Sequence, residues 1–289
     1  MGTIEALLID LDGTLYVGNE PIPGALEAMH RLDRLRMPYL FTTNTSRKSR
    51  AAVVEALTAL GLEVEPAHVL TAPVAAARWL RREGIRTILP LLPASTHEDL
   101  AGFELVGTGS APQEPGRTHE SAPEQSGSTH ESARLRGRPE AVVVGDLGRG
   151  FTFERLNEAF LALRAGARLV AVHKNRFWIT EEGPTLDAGP FVVGLEYAAR
   201  VDATLVGKPA PAFFELAAEI LGRPADRLAV VGDDAESDVQ GARAAGLTAI
   251  QVETGKFDPV HAERAPAGER PHHRIASIAE LPALLDRLA

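Results

Sequence analysis

Asp10 and Asp12 stand one residue apart where a short apolar run, residues 6–9 (ALLI), comes to an end. An unbroken run of that length is what a strand covered on both faces of a parallel sheet requires. Gly13 lets the backbone turn directly afterwards, and Asp12 and Thr14 place oxygen atoms beside the turn. Such oxygen density suits a hard cation or a phosphoryl group. Three further strand-like runs end in groups of complementary kind: Thr42, Thr43 and Asn44 after PYLF, Lys208 after ATLVG, and Asp233 with Asp234 after RLAVVG.

These residue types match the demands of phosphoryl removal, in which charge on the transferring oxygens is neutralised and the attacking group lies in line with the leaving oxygen. A carboxylate nucleophile repels such a substrate unless a cation intervenes. Mg²⁺ held by Asp10 and Asp233 answers this, and Lys208 supplies a second positive charge. Thr43 can donate to a phosphoryl oxygen. Asp12 can act as general acid toward the leaving group and then as general base toward water. Asp238, one helical turn beyond Asp234, can orient a metal-bound water. Taken singly each has a plainer reading: Lys208 as a surface lysine, Thr43 as a cap for a helix over 45–60, Asp233 and Asp234 as loop acids.

The elements that must position these residues alternate strand-length runs with helical periodicity, the pattern of a parallel α/β sheet. Helices are expected over 24–36, 47–60, 73–83, 153–165, 211–221 and 236–245, with strands between them. The expected architecture is a doubly wound parallel-sheet core, Rossmann-like, split by an inserted α/β cap domain. Residues 1–81 form the first part of the core, 82–185 the cap and 186–289 the second part. Within the cap, 108–138 is poor in aliphatic residues and carries THESA twice, which predicts a mobile loop.

Composition narrows the function classes. The 289-residue chain is 45% hydrophobic and 24% charged, which is ordinary globular usage. A net charge of −9 argues against general binding to a nucleic-acid backbone. The absence of cysteine removes disulfides, a thiolate zinc site and a cysteine nucleophile together. With no membrane-length apolar run, the expectation is a cytoplasmic protein with no membrane partner.

The stretches DLDGT (10–14), TTN (42–44), GKP (207–209) and GDDAESD (232–238) resemble, in order and spacing, the four signature motifs of the haloacid dehalogenase (HAD) superfamily of phosphatases. A cap between the second and third motifs is similar to the NagD-type subclass, subclass IIA. TLDAGPFVVGLEYA (185–198) and IQVETGKF (250–257) resemble its branch of phospholysine phosphohistidine inorganic pyrophosphate phosphatase and HAD-like hydrolase domain-containing protein 2. The resemblance implies Asp10 as nucleophile, Asp12 as acid/base, and Thr43 and Lys208 as phosphate binders. It further implies Mg²⁺ on Asp10, Asp233, the Asp12 backbone carbonyl and the second acid Asp238. Asn44 falls at a substrate-loop position, and a homodimer through the cap is implied too. HKNRFW (173–178) departs from the usual substrate loop; there His173, Lys174, Asn175 and Arg176 either meet an anionic group of the substrate or form a solvated basic turn. Two other readings stay open: a catalytically idle paralogue serving as a scaffold, and a haloacid dehalogenase, against which Asp12 weighs.

Overall fold

The computed structural model describes residues 3–107, 138–180 and 183–288; the expected loop 108–138 lies, but for its last residue, outside the described residues. The chain opens with β1 (Ala6–Asp10), a small hairpin of β2 (Tyr16–Val17) and β3 (Glu20–Pro21), α1 (Ala25–Arg34), β4 (Tyr39–Thr43), α2 (Arg50–Ala59), β5 (Val69–Thr71) and α3 (Ala72–Arg82). Its middle contains β6 (Thr87–Leu91), β7 (Glu104–Leu105), β8 (Ala141–Val144), α4 (Phe153–Arg164), β9 (Arg168–Ala171), β10 (Phe177–Thr180), β11 (Gly183–Leu186), α5 (Gly189–Ala199) and β12 (Thr204–Leu205). The last part is α6 (Pro211–Leu221), β13 (Leu228–Gly232), α7 (Gly241–Ala244), β14 (Thr248–Val252), α8 (Pro259–Arg264), β15 (His273–Ile275) and α9 (Leu281–Leu288).

Six strands form a parallel core sheet in the order β15-β14-β13-β1-β4-β5. Residues of β1 alternate between two apolar layers. Leu7 and Ile9 pack with Met29, Leu32, Val53, Leu57 and Leu281, while Ala6 and Leu8 face Phe213, Phe214 and Ala217. Both faces are covered, so the strand reads as continuous apolar sequence. The chain runs outward from β1 through β4 and β5 and later returns on the other side through β13, β14 and β15. β1 therefore borders the point where strand order reverses, and the strand ends there form the ligand crevice of such sheets.

A second parallel sheet has the order β12-β9-β8-β6-β7. Helix α3 joins the two layers: Val74 and Ala75 pack into the core, whereas Ala72, Ala76, Ala77 and Leu80 pack under the second sheet. The boundary expected at 185/186 differs from what is seen. Val192, Leu195 and Ala199 of α5 are buried against Val142, Val144 and Leu169, and Thr204 of β12 pairs with Val170 of β9. An apolar run such as ATLV announces a strand but not the sheet it joins. The helix expected over 236–245 is also different: residues Ala235–Gln240 form a wide turn of π type, with α7 only after it.

Phe41 of β4 is fully buried beside Tyr39, their rings edge to face at 5.2 Å. Phe41→Ala should cost about 3–5 kcal/mol in urea unfolding, through lost burial and the cavity left behind. A loss below about 1 kcal/mol would mean that the layer collapses around the gap.

Candidate active site

Parallel packing puts the ends of β1, β4, β13 and β14 on one edge of the core sheet, and the polar residues noted in sequence meet there. Lys208, 2% exposed, donates to Asp10 Oδ1 and to Asp238 Oδ1, each at 2.6 Å. Asp10, Asp233 and Asp238 are buried, and each offers an oxygen such that the three atoms lie within 4.8 Å of one another. The Thr14 hydroxyl reaches Asp10 Oδ2 at 3.3 Å.

Backbone geometry makes this crowding possible. Gly13 has φ +89° and Gly255 φ +59°, and a Cβ on either would overlap the carboxylate of Asp233. The Lys256 amide then donates to Asp233 Oδ2 at 2.6 Å, and Thr254 Oγ1 donates to the Gly13 carbonyl at 2.6 Å. Asp234 points elsewhere: it caps the wide turn through the amides of Glu236 and Ser237 and pairs with Lys256 Nζ at 3.0 Å. Asp238 turns back toward Lys208, its Oδ2 accepting from the Asp234 amide at 3.2 Å. The wide turn, in which Val239 N bonds Asp234 O, sets that direction.

Electrostatics follow from burial. Desolvation raises Asp10, with Lys208 opposing it. Desolvation, reinforced by Asp10 and Asp238, pushes Asp233 up to about 8; Asp238 rises to about 7 for the same first reason, against the pull of Lys208. Burial disfavours the Lys208 ammonium, but Asp10 and Asp238 outweigh it and hold the charge. Asp12 opens to solvent at the rim, yet the protein mass around it raises its carboxyl, opposed by Lys48, Lys256 and Lys208. Although burial works the other way, Lys256 and the turn amides keep Asp234 below the usual carboxylate range.

Of the residues singled out in sequence, Asp10, Lys208, Asp233 and Asp238 converge directly. Thr43 is buried at the end of β4, its Oγ1 accepting from Thr45 N at 3.0 Å. Asn44 is differently employed from the substrate contact expected of it: Oδ1 accepts from Lys208 N and Nδ2 donates to Lys208 O, both at 2.9 Å. Its amide grips the peptide of the lysine. In the second domain Lys174 is tied to Glu196 at 2.9 Å, His173 is buried, and Arg176 is exposed. Sequence reasoning from strand ends missed Thr254, Gly255 and Lys256, although TGK follows the run LTAIQV and carried the same signal.

Three buried carboxylate donors with all-oxygen chemistry fit a hard divalent ion such as Mg²⁺. The fold and this site define a class of hydrolase, and comparison with known proteins gives the same answer. A model described as haloacid dehalogenase-like hydrolase matches residues 7–105, and a HAD-hydrolase-like model matches 205–281. The human phospholysine phosphohistidine inorganic pyrophosphate phosphatase is 32% identical over 262 residues, covering 89% of this chain and 85% of that protein. The solved 4-nitrophenylphosphatase of Thermotoga maritima superposes with a TM-score of 0.79 at 27% identity, covering 97% of each chain. The glycerol phosphate phosphatase of Mycobacterium tuberculosis in complex with magnesium superposes at 0.78 with 30% identity, covering 96% of this chain and 76% of that one. The chain belongs to the haloacid dehalogenase-like hydrolases, subclass IIA, and is an enzyme of the phosphatase class. No described helix is long and apolar enough to cross a membrane.

Asp233 and Asp238 must lose their protons to hold a metal. Their folded values of about 8 and about 7 lie above the ordinary 3.8, so as pH rises through that window the unfolded chain releases protons that the folded chain keeps. These groups therefore withdraw stability toward alkaline pH. A bound cation removes that penalty, so the rise in Tm on adding Mg²⁺ should be larger at about pH 8.5 than at about pH 6. An equal rise at both, or none, would remove the metal from this trio.

Proposed function

We propose that this enzyme is a Mg²⁺-dependent phosphohydrolase acting on a small phosphorylated substrate through an aspartyl-phosphate at Asp10. The observation that carries the reading is the buried Lys208 bridging Asp10 and Asp238 at 2.6 Å beside Asp233. The magnesium complex of the similar glycerol phosphate phosphatase supports the metal. Asp10, Asp233 and Asp238, with the Asp12 carbonyl, would hold Mg²⁺, which when bound supplies the charge that lets a carboxylate approach a phosphate dianion.

The chain's own residues divide the remaining work. Lys208 and the Thr43 hydroxyl bind the phosphoryl oxygens, Lys208 holding its full charge under burial. An Asp10 oxygen forms a bond to phosphorus as the bond from phosphorus to the ester oxygen breaks. Asp12, whose carboxyl is raised by the protein around it, gives a proton to the departing oxygen. Now ionised, it takes a proton from water as that water attacks phosphorus, which releases inorganic phosphate and restores Asp10. Arg176, exposed on the second domain, is assigned to the part of the substrate beyond the phosphate. The complete acid set stands against the idle-scaffold reading.

Asp10→Asn should abolish turnover outright. Asp12→Asn should lose about 10²–10⁴-fold on an alkyl phosphate and much less on 4-nitrophenyl phosphate, whose leaving group needs no proton. Acid quench with ³²P-labelled substrate, hydroxylamine release and peptide mapping should place the label on Asp10. Label absent from Asp10 at every quench time, with Asp12→Asn losing equally on both esters, would overturn the mechanism.

A further inference from the structure

Ser46 Oγ lies 2.8 Å from His173 Nε2 and accepts a hydrogen bond from the Asp146 amide, also at 2.8 Å. His173 Nδ1 faces Asp187 Oδ1 at 3.7 Å, and all three side chains are buried. A carboxylate opposite Nδ1 favours the proton on that nitrogen, leaving Nε2 to accept the Ser46 hydroxyl. Burial lowers the imidazole, with Asp187 and Asp146 opposing. The order serine, histidine, aspartate is that of a hydrolytic nucleophile, but Ser46 is 1% exposed and its oxygen is committed to the Asp146 amide. No substrate reaches it. The array holds two domains together.

Its place in the chain gives that grip a consequence. Ser46 follows Thr43 by three residues and Asn44 by two, and Asn44 clamps both the backbone N–H and the carbonyl of Lys208. On the other side, the Val172 carbonyl abuts Gly207 so closely that a Cβ there would overlap it. The loop that carries His173 thus touches both segments bearing the candidate phosphate-binding side chains. The following core residues are gripped by the second domain as well. Ser95 donates to the Arg47 carbonyl and Asp99 accepts from the Arg50 amide, both at 2.9 Å, while Arg47 pairs with Asp146 at 2.6 Å and stacks 4.6 Å from the Trp178 ring centre.

We propose that His173 is a positioning residue for phosphoryl transfer: by accepting the Ser46 hydroxyl from the second domain, it fixes the loop carrying Thr43 and Asn44 against Lys208. This rests on Thr43 and Lys208 binding the phosphoryl group, as proposed above. It acts on charge placement rather than proton transfer, so its loss falls equally on good and poor leaving groups.

The test measures kcat, KM and the competitive inhibition constant of inorganic phosphate for His173→Ala, Ser46→Ala, the double variant and His173→Gln, with Thr43→Ala as reference. His173→Ala and Ser46→Ala should each lose about 10–100-fold in kcat/KM and weaken phosphate inhibition in step, on 4-nitrophenyl phosphate and an alkyl phosphate alike. The double variant should fall no further than about twofold below the worse single, because each removes the Ser46–His173 bond and Ser46→Ala already includes the loss of the Asp146 amide bond. His173→Gln, whose amide oxygen can accept from Ser46, should recover most of the loss. Should His173→Ala fail to fold, Ser46→Ala and the glutamine variant decide. Folded variants with phosphate inhibition within about twofold of the parent, or single losses that multiply in the double, overturn the assignment. If Thr43→Ala itself leaves phosphate inhibition unchanged, the phosphate-site reading has failed, and the inference falls with it.

Discussion

The Lys208 ammonium, buried between Asp10 and Asp238, is the interaction on which the rest of the site depends. Three buried carboxylates and one ammonium leave the cluster with an excess of negative charge in a medium that solvates charge poorly. Buried ion pairs of this kind contribute little net stability, since desolvation offsets the attraction. Burial, with the neighbouring carboxylates, pushes Asp233 up to about 8 and Asp238 up to about 7. The protein accommodates the arrangement by detail on every side: Asn44 secures the lysine peptide, glycines at 13 and 255 leave room for Asp233, and the wide turn aims Asp238 inward. A packed apolar replacement would fold as well. Under the proposed function the cluster has a purpose: a site that attracts both a cation and a phosphate needs opposite charges held a few ångströms apart.

The second domain is joined to this cluster by polar contacts concentrated on residues 46–50, just past Thr43, and by the two-faced helix α3. A movement that parted the domains at the crevice would break the Ser46 to His173 bond and unstack Arg47 from Trp178. The geometry of the core loop is therefore linked to the position of the cap. Under the proposed function, exclusion of water and placement of the phosphoryl group then depend on one contact set.

Much of this was legible in the sequence because strands covered on both faces read as apolar runs, and their ends stand out where polarity returns. Asp10, Thr43, Lys208 and Asp233 were picked out that way, and a parallel α/β core followed from the alternation of elements, but not its six strands: Val69–Thr71 and His273–Ile275 are too short to stand out as apolar runs. What was not legible depended on long-range pairing. Nothing in HKNRFW says that its histidine is buried against a serine 127 residues earlier, or that Lys174 is spent on Glu196. Membership of β12 in the second sheet is a pairing choice that local pattern does not encode. Asn44 was legible as polar and loop-borne, but its use as a clamp on the Lys208 peptide required the two chain segments to be seen together. Asp234 and Asp238 part for a similar reason: Asp234 is not in a helix but caps the wide turn at Ala235–Gln240 from an extended backbone, so its side chain goes to the amides of Glu236 and Ser237 while Asp238 turns to Lys208.

The separation of Asp10 from Asp12 by a single residue acquires its meaning from the turn between them. Asp10 belongs to the strand, is buried, and is held by Lys208, so its carboxylate is fixed in direction and closed to solvent. Leu11 continues into the apolar layer, and the chain then turns at Gly13 with its amide bonded to the Tyr16 carbonyl, which lifts Asp12 to the rim. Two identical side chains thus differ in freedom and in the charges around them. A nucleophile must be aimed and desolvated, whereas a proton carrier must meet both the leaving group and incoming water. The proposed roles follow these two environments: exchanging them would require the buried residue to reach solvent or the exposed one to enter the sheet.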